Sequence, residues 1–439
     1  MPQFYFIKEN DKWWGKNFTE WTMVRKAKPL FLGHHQPRKP GDEKGYLGYY
    51  HLIDSETIKK QVKLAKSHGI YGFGFYYYWF SGKRLLEKPL DIFLENKDIN
   101  FPFLLIWGNH NWTRNWDGKA KMILIEQKYK RNDPSNFIKD IKKYIKDPRY
   151  ITIDDKKVIG IYEPFKIPNL TKTILIWRNE SLKYGIGKIY ILICKNKNKI
   201  SKILNLKEVD AAYDFPPRNK LKIKFKKKFF GLYTNLIYKW INCPKILNKF
   251  PVFGGTMLEW DNTPRRGKNG IVFLEFSPEK FYLLNKIIIN WTRKNYNISK
   301  RYIFVNAWNE WGEGSYLEPD EKYGYSSINS LSKALFNLSY IKNYNISKLS
   351  KSSQISVLVN VYYINLVMEI INKTNNIPVK FDLYITTNLL NHIKIIKRKI
   401  KKFSKAHKFE IRYYENKGGD VYSFLKQIKH IFNILQYIL

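Results

Sequence analysis

The sequence predicts an α/β protein whose first 342 residues form a (β/α)8 barrel. Three observations lead there. Short apolar runs alternate with amphipathic segments seven times over about 320 residues, the rhythm of a parallel sheet with crossover helices. The conspicuous polar and aromatic residues cluster directly after the apolar runs, at the strand ends where barrels carry their sites. No glycine-rich turn follows the first run, as a nucleotide-binding doubly wound sheet would require.

The elements follow in order. Asp54 can cap a helix whose Ile58, Val62 and Ala65 share one face, and Gly69 can end it. Ile70–Phe80 and Phe101–Trp107 read as buried strands. Pro134–Ile145 places Phe137, Ile141 and Tyr144 on one helical face. Val158–Tyr162, Ile189–Ile193, Ala211–Phe215 and Val252–Leu258 are further strands. Ser277-Pro278-Glu279 opens a long helix through Phe281, Leu284 and Ile288, and Tyr302–Trp308 is the last strand.

The densest chemistry follows that last strand, in Trp308–Pro319 (WNEWGEGSYLEP). Two carboxylates, Glu310 and Glu313, stand among Trp308, Trp311 and Tyr316. Glycosidic-bond chemistry needs such a pair, one ionised as base or nucleophile and one holding its proton as acid. On a flat strand, positions i and i+3 point to opposite faces, so Gly312 and Gly314 must bend the backbone for the two to converge. Glu313 is expected as the acid, its pKa raised by burial and by Glu310. The bland reading is a Trp-rich core edge with two solvated glutamates. Trp79, Asn109, Trp112, Arg114, Trp116, Asp117, Trp260, Asp261, Arg265, Arg266, Trp308, Asn309, Trp311 and Tyr325 are expected to line one substrate cleft. Arg114 and Arg266 are expected to meet the sugar and to support Glu310, since a guanidinium is a planar fork of donors. No metal site and no cofactor are expected. His110 has no second ligand at useful spacing and reads as an ordinary hydrogen-bonding residue.

Composition bounds the rest. The formal charge is +41, but lysine is spread along the whole chain with abundant Ile and Asn, the signature of an AT-rich genome. The run Lys220–Lys228 could meet acidic headgroups, although a solvated loop is the plainer reading. No RNA-binding aromatic signature or zinc-finger spacing accompanies it, so no nucleic-acid partner is expected. Two cysteines, Cys194 and Cys243, fit a reducing compartment. With no signal peptide and no apolar stretch of 18 residues, a cytoplasmic protein is expected, at most peripheral at the inner membrane.

Residues 1–342 resemble the WbsX family, polysaccharide-biosynthesis relatives of glycoside hydrolase family 99. The matching stretches are Glu9–Trp21, Tyr71–Arg84, Asn109–Gly118, Trp260–Gly267 and Asn306–Pro319. The resemblance implies the barrel. It also implies that Glu310 and Glu313 match the paired glutamates of the hydrolase family. There the first assists attack by the sugar's own 2-hydroxyl and the second protonates the leaving oxygen. Two departures stand out. Relatives carry an apolar strand before the equivalent of Pro2-Gln3-Phe4, so the first barrel strand is expected to be short or missing. At position 110 many relatives carry Glu where this chain has His.

After a polar linker, 343–354, a second unit is expected over 355–439. Its pattern is strand Ile355–Tyr363, helix Leu366–Lys373, strand Phe381–Thr387, a basic helix and strand Phe409–Tyr414. With Asn416–Leu425 this is similar to the opening of rhamnan synthesis protein F domains. It reads as an incomplete Rossmann-like segment that stops at Leu439, as in a shortened gene product. The function expected is glycosyl transfer or glycosidic cleavage on bacterial surface polysaccharide (O-antigen or capsule), with a glycan or lipid-linked saccharide as substrate. The alternative is an inactive glycan-binding or scaffold protein.

Overall fold

The structure, a computed structural model, describes residues 2–42, 45–114, 119–195, 206–217, 222–225, 228–241, 250–336, 355–361, 363–377 and 380–413. The chain divides into two compact units, Met1–Ile341 and Lys342–Leu439. The linker 343–354, Cys243 and the turn expected over Asn416–Leu425 lie outside the described residues.

The first unit is a mixed α/β fold. Its parallel strands are β1 (Phe73–Phe80), β2 (Phe103–Trp107), β3 (Lys156–Ile161), β4 (Ile189–Cys194), β5 (Ala211–Tyr213), β6 (Val252–Met257) and β7 (Ile303–Asn306). Each pairs in parallel with the next in chain order. The connecting helices start where local chemistry predicts. Asp54 accepts from the backbone N–H groups of Glu56 and Thr57 and caps Ser55–Ser67. Ser277 accepts from Lys280 N and caps Pro278–Asn295. Ile58, Val62, Ala65, Phe137, Ile141, Tyr144, Phe281, Leu284 and Ile288 are all buried. Gly69 sits at φ +81°, left-handed, just beyond the first of these helices.

The sheet curls until its two edges face each other. The Phe73 ring at the start of β1 lies 5.2 Å from Trp308, just after β7, and Tyr71 lies 6.3 Å from Tyr302. In a flat sheet, seven strands spaced about 4.8 Å apart would hold those edges roughly 30 Å apart. Side chains from alternate strands meet inside the curl, with Tyr213 of β5 4.8 Å from Phe304 of β7. No ladder among the described residues joins β7 to β1, so the sheet remains open on that side. Pro2–Tyr5 are buried, but their carbonyls serve loops instead of a strand. Gln3 O accepts from Glu20 N and Phe4 O from Leu52 N.

Of the basic run Lys220–Lys228, the described backbone forms one strand of a hairpin, Lys222–Phe225 against Lys228–Leu232. In the second unit β8 (Ile355–Val361), β9 (Phe381–Thr387) and β10 (Lys408–Tyr413) are parallel and lie in chain order. Helices Val367–Thr374 and Leu390–Phe403 connect them. Ile396 and Ile400 of the basic helix pack into a core with Ile371, Leu383 and Ile385. No helix among the described residues is long and apolar enough to cross a membrane.

Candidate active site

Beyond β7 the chain makes a tight hairpin. Asn309-Glu310 pairs antiparallel with Ser315-Tyr316 around a single 3-10 turn, Trp311–Glu313. Gly314 closes the turn at φ 65°, a left-handed conformation that favours glycine. The hairpin is the bend that brings i and i+3 together. Trp311 lies flat on Tyr316, ring centroids 3.7 Å apart, and anchors the turn in the core.

The two glutamates converge on one guanidinium. Arg265 Nη2 donates to Glu310 Oε2 at 2.8 Å, and Nη1 meets Glu313 Oε1 at 2.6 Å. The two bound oxygens are therefore no more than about 8 Å apart, close enough to flank one glycosidic bond. Arg265 Nε donates to a third carboxylate, Glu20 Oε1, at 2.7 Å. Arg265 stands on the short helix Thr263–Arg266 after β6, and Glu20 opens the helix Glu20–Lys26 behind a Thr19–Thr22 capping box. Gly312 makes the cluster possible, because a Cβ there would overlap Glu20 Oε1 and lie 2.9 Å from Arg265 Nε.

The electrostatics divide the acids. Burial pushes the Glu313 carboxyl up to about 7. Arg265 opposes the rise, and the charges of Glu310 and Glu20 add to it. Burial also raises Glu20, against the pull of Arg265. Tyr78 of β1 is raised by burial and by the charge of Glu310, which links the interior aromatic wall to the carboxylates. Its ring packs edge-on against Trp112 at 5.2 Å and faces His110 at 6.2 Å. His110 is held neutral, its pKa lowered to about 4 by burial.

Two further networks hold this frame. Asp261 accepts from Gln36 Nε2 at 2.6 Å and from Thr263 Oγ1 at 2.6 Å. It also lies 2.9 Å from His34 Nε2 and 3.4 Å from Arg38. These partners hold its carboxyl well below the usual range despite burial. Glu318 accepts from Trp311 Nε1, Gln61 Nε2 and Tyr50 OH at 2.7, 2.7 and 2.9 Å. Burial nevertheless raises Glu318 to about 7.

Residues 1–331 match the family model described as glycosyltransferase WbsX, about three quarters of the chain. The chain belongs to the WbsX family. Residues 322–439 of this WbsX chain match rhamnan synthesis protein F. It is also similar to the uncharacterized protein WxcX of Xanthomonas campestris pv. campestris, strain B100. That similarity is 31% identity over 435 residues, which is 97% of this chain and 60% of WxcX. WxcX of strain ATCC 33913 matches with the same identity and coverage. The chain thus spans about 60% of the length of these curated relatives. Two solved structures share 12% identity with it. One, described as a glycoside hydrolase-like protein, has a TM-score of 0.49 over 68% of this chain and 89% of its own. The other is a GH99 endo-alpha-mannosidase from Bacteriodes thetaiotaomicron in complex with BIS-TRIS-Propane. Its TM-score is 0.42 over 77% of this chain and 95% of its own.

The residues expected in one cleft of this WbsX protein go to several places. Glu310, Glu313, Arg265, Asn309, Trp311 and Asp261 come together around the hairpin. Trp311 and Asp261 are fully buried and act as framework instead of as surfaces for a sugar. Trp308 packs on Phe73, and its backbone carbonyl accepts from Leu317 and Glu318. Trp260 borders an apolar cluster that includes Met257, Phe273 and Phe281, its carbonyl accepting from Phe273 N. Trp79 points away from the interior. Strand parity sends Tyr76 and Tyr78 inward, while Tyr77 and Trp79 pack on Phe137 of the outer helix. Asn109 is buried and clamps Glu163, accepting from its N at 2.8 Å and donating to its O at 2.8 Å. Arg114 lies over the Trp14 ring, and Tyr325 packs by Tyr46 and donates to Gly45 O. The cation beside Glu310 is Arg265, where Arg114 or Arg266 was expected. Trp116 and Asp117 lie outside the described residues. Sequence reasoning missed Glu20, Tyr78 and Glu318 as members of the site. Glu20 and Glu318 stand inside the same motifs, TEW and YLEP, that flank the recognised residues.

Proposed function

We propose that this WbsX-family protein is a carbohydrate-active enzyme of bacterial surface polysaccharide biosynthesis that makes or breaks a glycosidic bond with Glu310 and Glu313. The convergence of both carboxylates on Arg265 at the end of a parallel strand carries the reading. Glu313, with a pKa near 7, can hold a proton at neutral pH and deliver it to the departing glycosidic oxygen as the C–O bond breaks. Glu310, paired with Arg265, takes the proton of the attacking hydroxyl. That hydroxyl belongs to the sugar itself, to water or to an acceptor saccharide. Tyr76 and Tyr162, both only partly buried, supply aromatic faces within the curl on which a pyranose can stack. We read the curled sheet as a (β/α)8-type barrel with one position not filled by a strand, and the second unit as Rossmann-like. The substrate is a glycan or lipid-linked saccharide.

The test is to incubate the full chain with nucleotide sugars plus saccharide acceptors, and separately with polysaccharide fragments, reading products by mass spectrometry. Glu313→Gln and Glu310→Gln are each expected to lower turnover by roughly 10²–10⁴ while saccharide binding persists. Full turnover in either variant would remove the pair from the mechanism. Saccharide binding without turnover in the unmodified protein would favour a binding module.

A further inference from the structure

Among the described residues, three carboxylates of the cluster share one guanidinium. Arg265 presents three edges, and three different glutamates occupy them, Glu20 on Nε, Glu310 on Nη2 and Glu313 on Nη1. Glu310 and Glu313 face the open side of the hairpin, with side chains 8% and 24% exposed, whereas the Glu20 side chain is only 1% exposed. Glu20 is thus walled off from any substrate and cannot take part in bond-making. Yet the sequence keeps a carboxylate there and omits a side chain at Gly312 to admit it. A carboxylate so deeply buried is costly unless it is paired, and Arg265 Nε supplies that pairing.

We propose that Glu20 is a positioning residue that keeps the proton on Glu313, by occupying the Nε edge of Arg265 and offsetting part of the guanidinium charge. The inference rests on the reading of Glu313 as the acid. Without Glu20, Arg265 would face only two carboxylates. A guanidinium shared between two anions stabilises each more than one shared among three, and Glu313 would give up its proton at lower pH. Glu20 also adds its own negative field, which raises Glu313 in the same direction. The charged or titratable groups facing Glu313 are Arg265 on the helix after β6, Glu310 on its own hairpin and Glu20 on the N-terminal helix. Tyr78 of β1 faces Glu310 and Arg265. Glu20 is the most deeply buried of the three carboxylates on Arg265, so its field persists at the salt concentrations that screen exposed charges.

The experiment reads the proton directly and needs no substrate. The full chain is labelled with 13C at the glutamate carboxyl carbons and titrated by NMR, with Glu313 assigned through Glu313→Gln and Glu20 through Glu20→Asp, which replaces its labelled carboxyl. Glu20→Gln is expected to move the Glu313 titration down by about one pH unit or more. Glu20→Asp, which keeps the charge, is expected to hold it near the parent value. An unmoved Glu313 in a folded Glu20→Gln protein overturns the proposal, as does an equal shift in Glu20→Asp. A measurement on the unmodified chain stands if Glu20→Gln fails to fold. Glu20 must lose its proton at lower pH than Glu313, and a Glu20 carboxyl still protonated when Glu313 ionises overturns the proposal. Because the titration is independent of turnover, absence of glycosidic activity would fail the functional reading and leave this result standing or falling by itself.

Discussion

The indole nitrogen of Trp311 donates to Glu318 Oε2 at 2.7 Å, seven residues along the chain and just beyond the hairpin. That one bond ties the floor of the candidate site to a buried acid whose other partners, Gln61 and Tyr50, come from the N-terminal part of the chain.

Glu318 therefore makes stability depend on pH. Its folded pKa of about 7 exceeds the ordinary glutamate value of about 4.3, so the folded state binds more protons between those limits. The contribution is fully present below about pH 4.3 and is lost as pH rises through 7. Urea denaturation at pH 5 and pH 8 should show the parent losing on the order of 1–3 kcal/mol more stability, or gaining that much less, between the two than Glu318→Gln. Glu313 and Glu20, raised in the same direction, add to the loss, and His110, lowered by burial, opposes it. An equal pH 5-to-8 difference in parent and variant would contradict the raised pKa.

Gly312→Ala should damage both stability and site. The new Cβ overlaps Glu20 Oε1, so the buried carboxylate, held on Arg265 Nε, must shift. Overpacking of this kind costs about 1–3 kcal/mol. The midpoint of urea unfolding should fall accordingly, and an unchanged midpoint would mean that Glu20 is not packed against this turn.

Asp261→Ala leaves the Arg38 and His34 side chains without their shared carboxylate. Removing one partner of a buried ion pair costs about 3–5 kcal/mol. Arg38 retains Glu259 at 2.5 Å, so the loss should fall at the lower end of that range. Thermal unfolding measures it. A melting point equal to the parent's would show that the network adds nothing.

Trp79 and Tyr78 are neighbours with opposite roles. Trp79→Ala should cost about 3–5 kcal/mol of stability, because the indole packs between Trp107 and Phe137 behind the sheet. Tyr78→Phe keeps the ring and loses the hydroxyl near Glu310. It should cost only about 1 kcal/mol in unfolding yet lower any Glu310-dependent turnover. The reverse pattern, a mild Trp79→Ala with reduced saccharide affinity, would place Trp79 in the cleft after all.

Helix starts at Ser55 and Pro278, the seven apolar strands and the bend at Gly312 and Gly314 were legible in the chain, because each rests on interactions within a few residues. Asp54 and Ser277 cap their own helices, and Gly314 turns its own hairpin. The pairing of Glu310 with Glu313 is local for the same reason. Which cation they share is not. Glu20 and Arg265 are 245 residues apart, and Gln61 and Glu318 are 257 apart. Only the curl of the sheet brings them within hydrogen-bond reach. The face taken by Trp79 also depends on strand parity relative to an interior that exists only once all seven strands have curled round it. Local sequence thus determined the elements and the acid pair. Long-range packing decided the guanidinium that joins them, the buried third glutamate and the wall of tyrosines they face, since no short-range pattern encodes a contact made across two hundred residues.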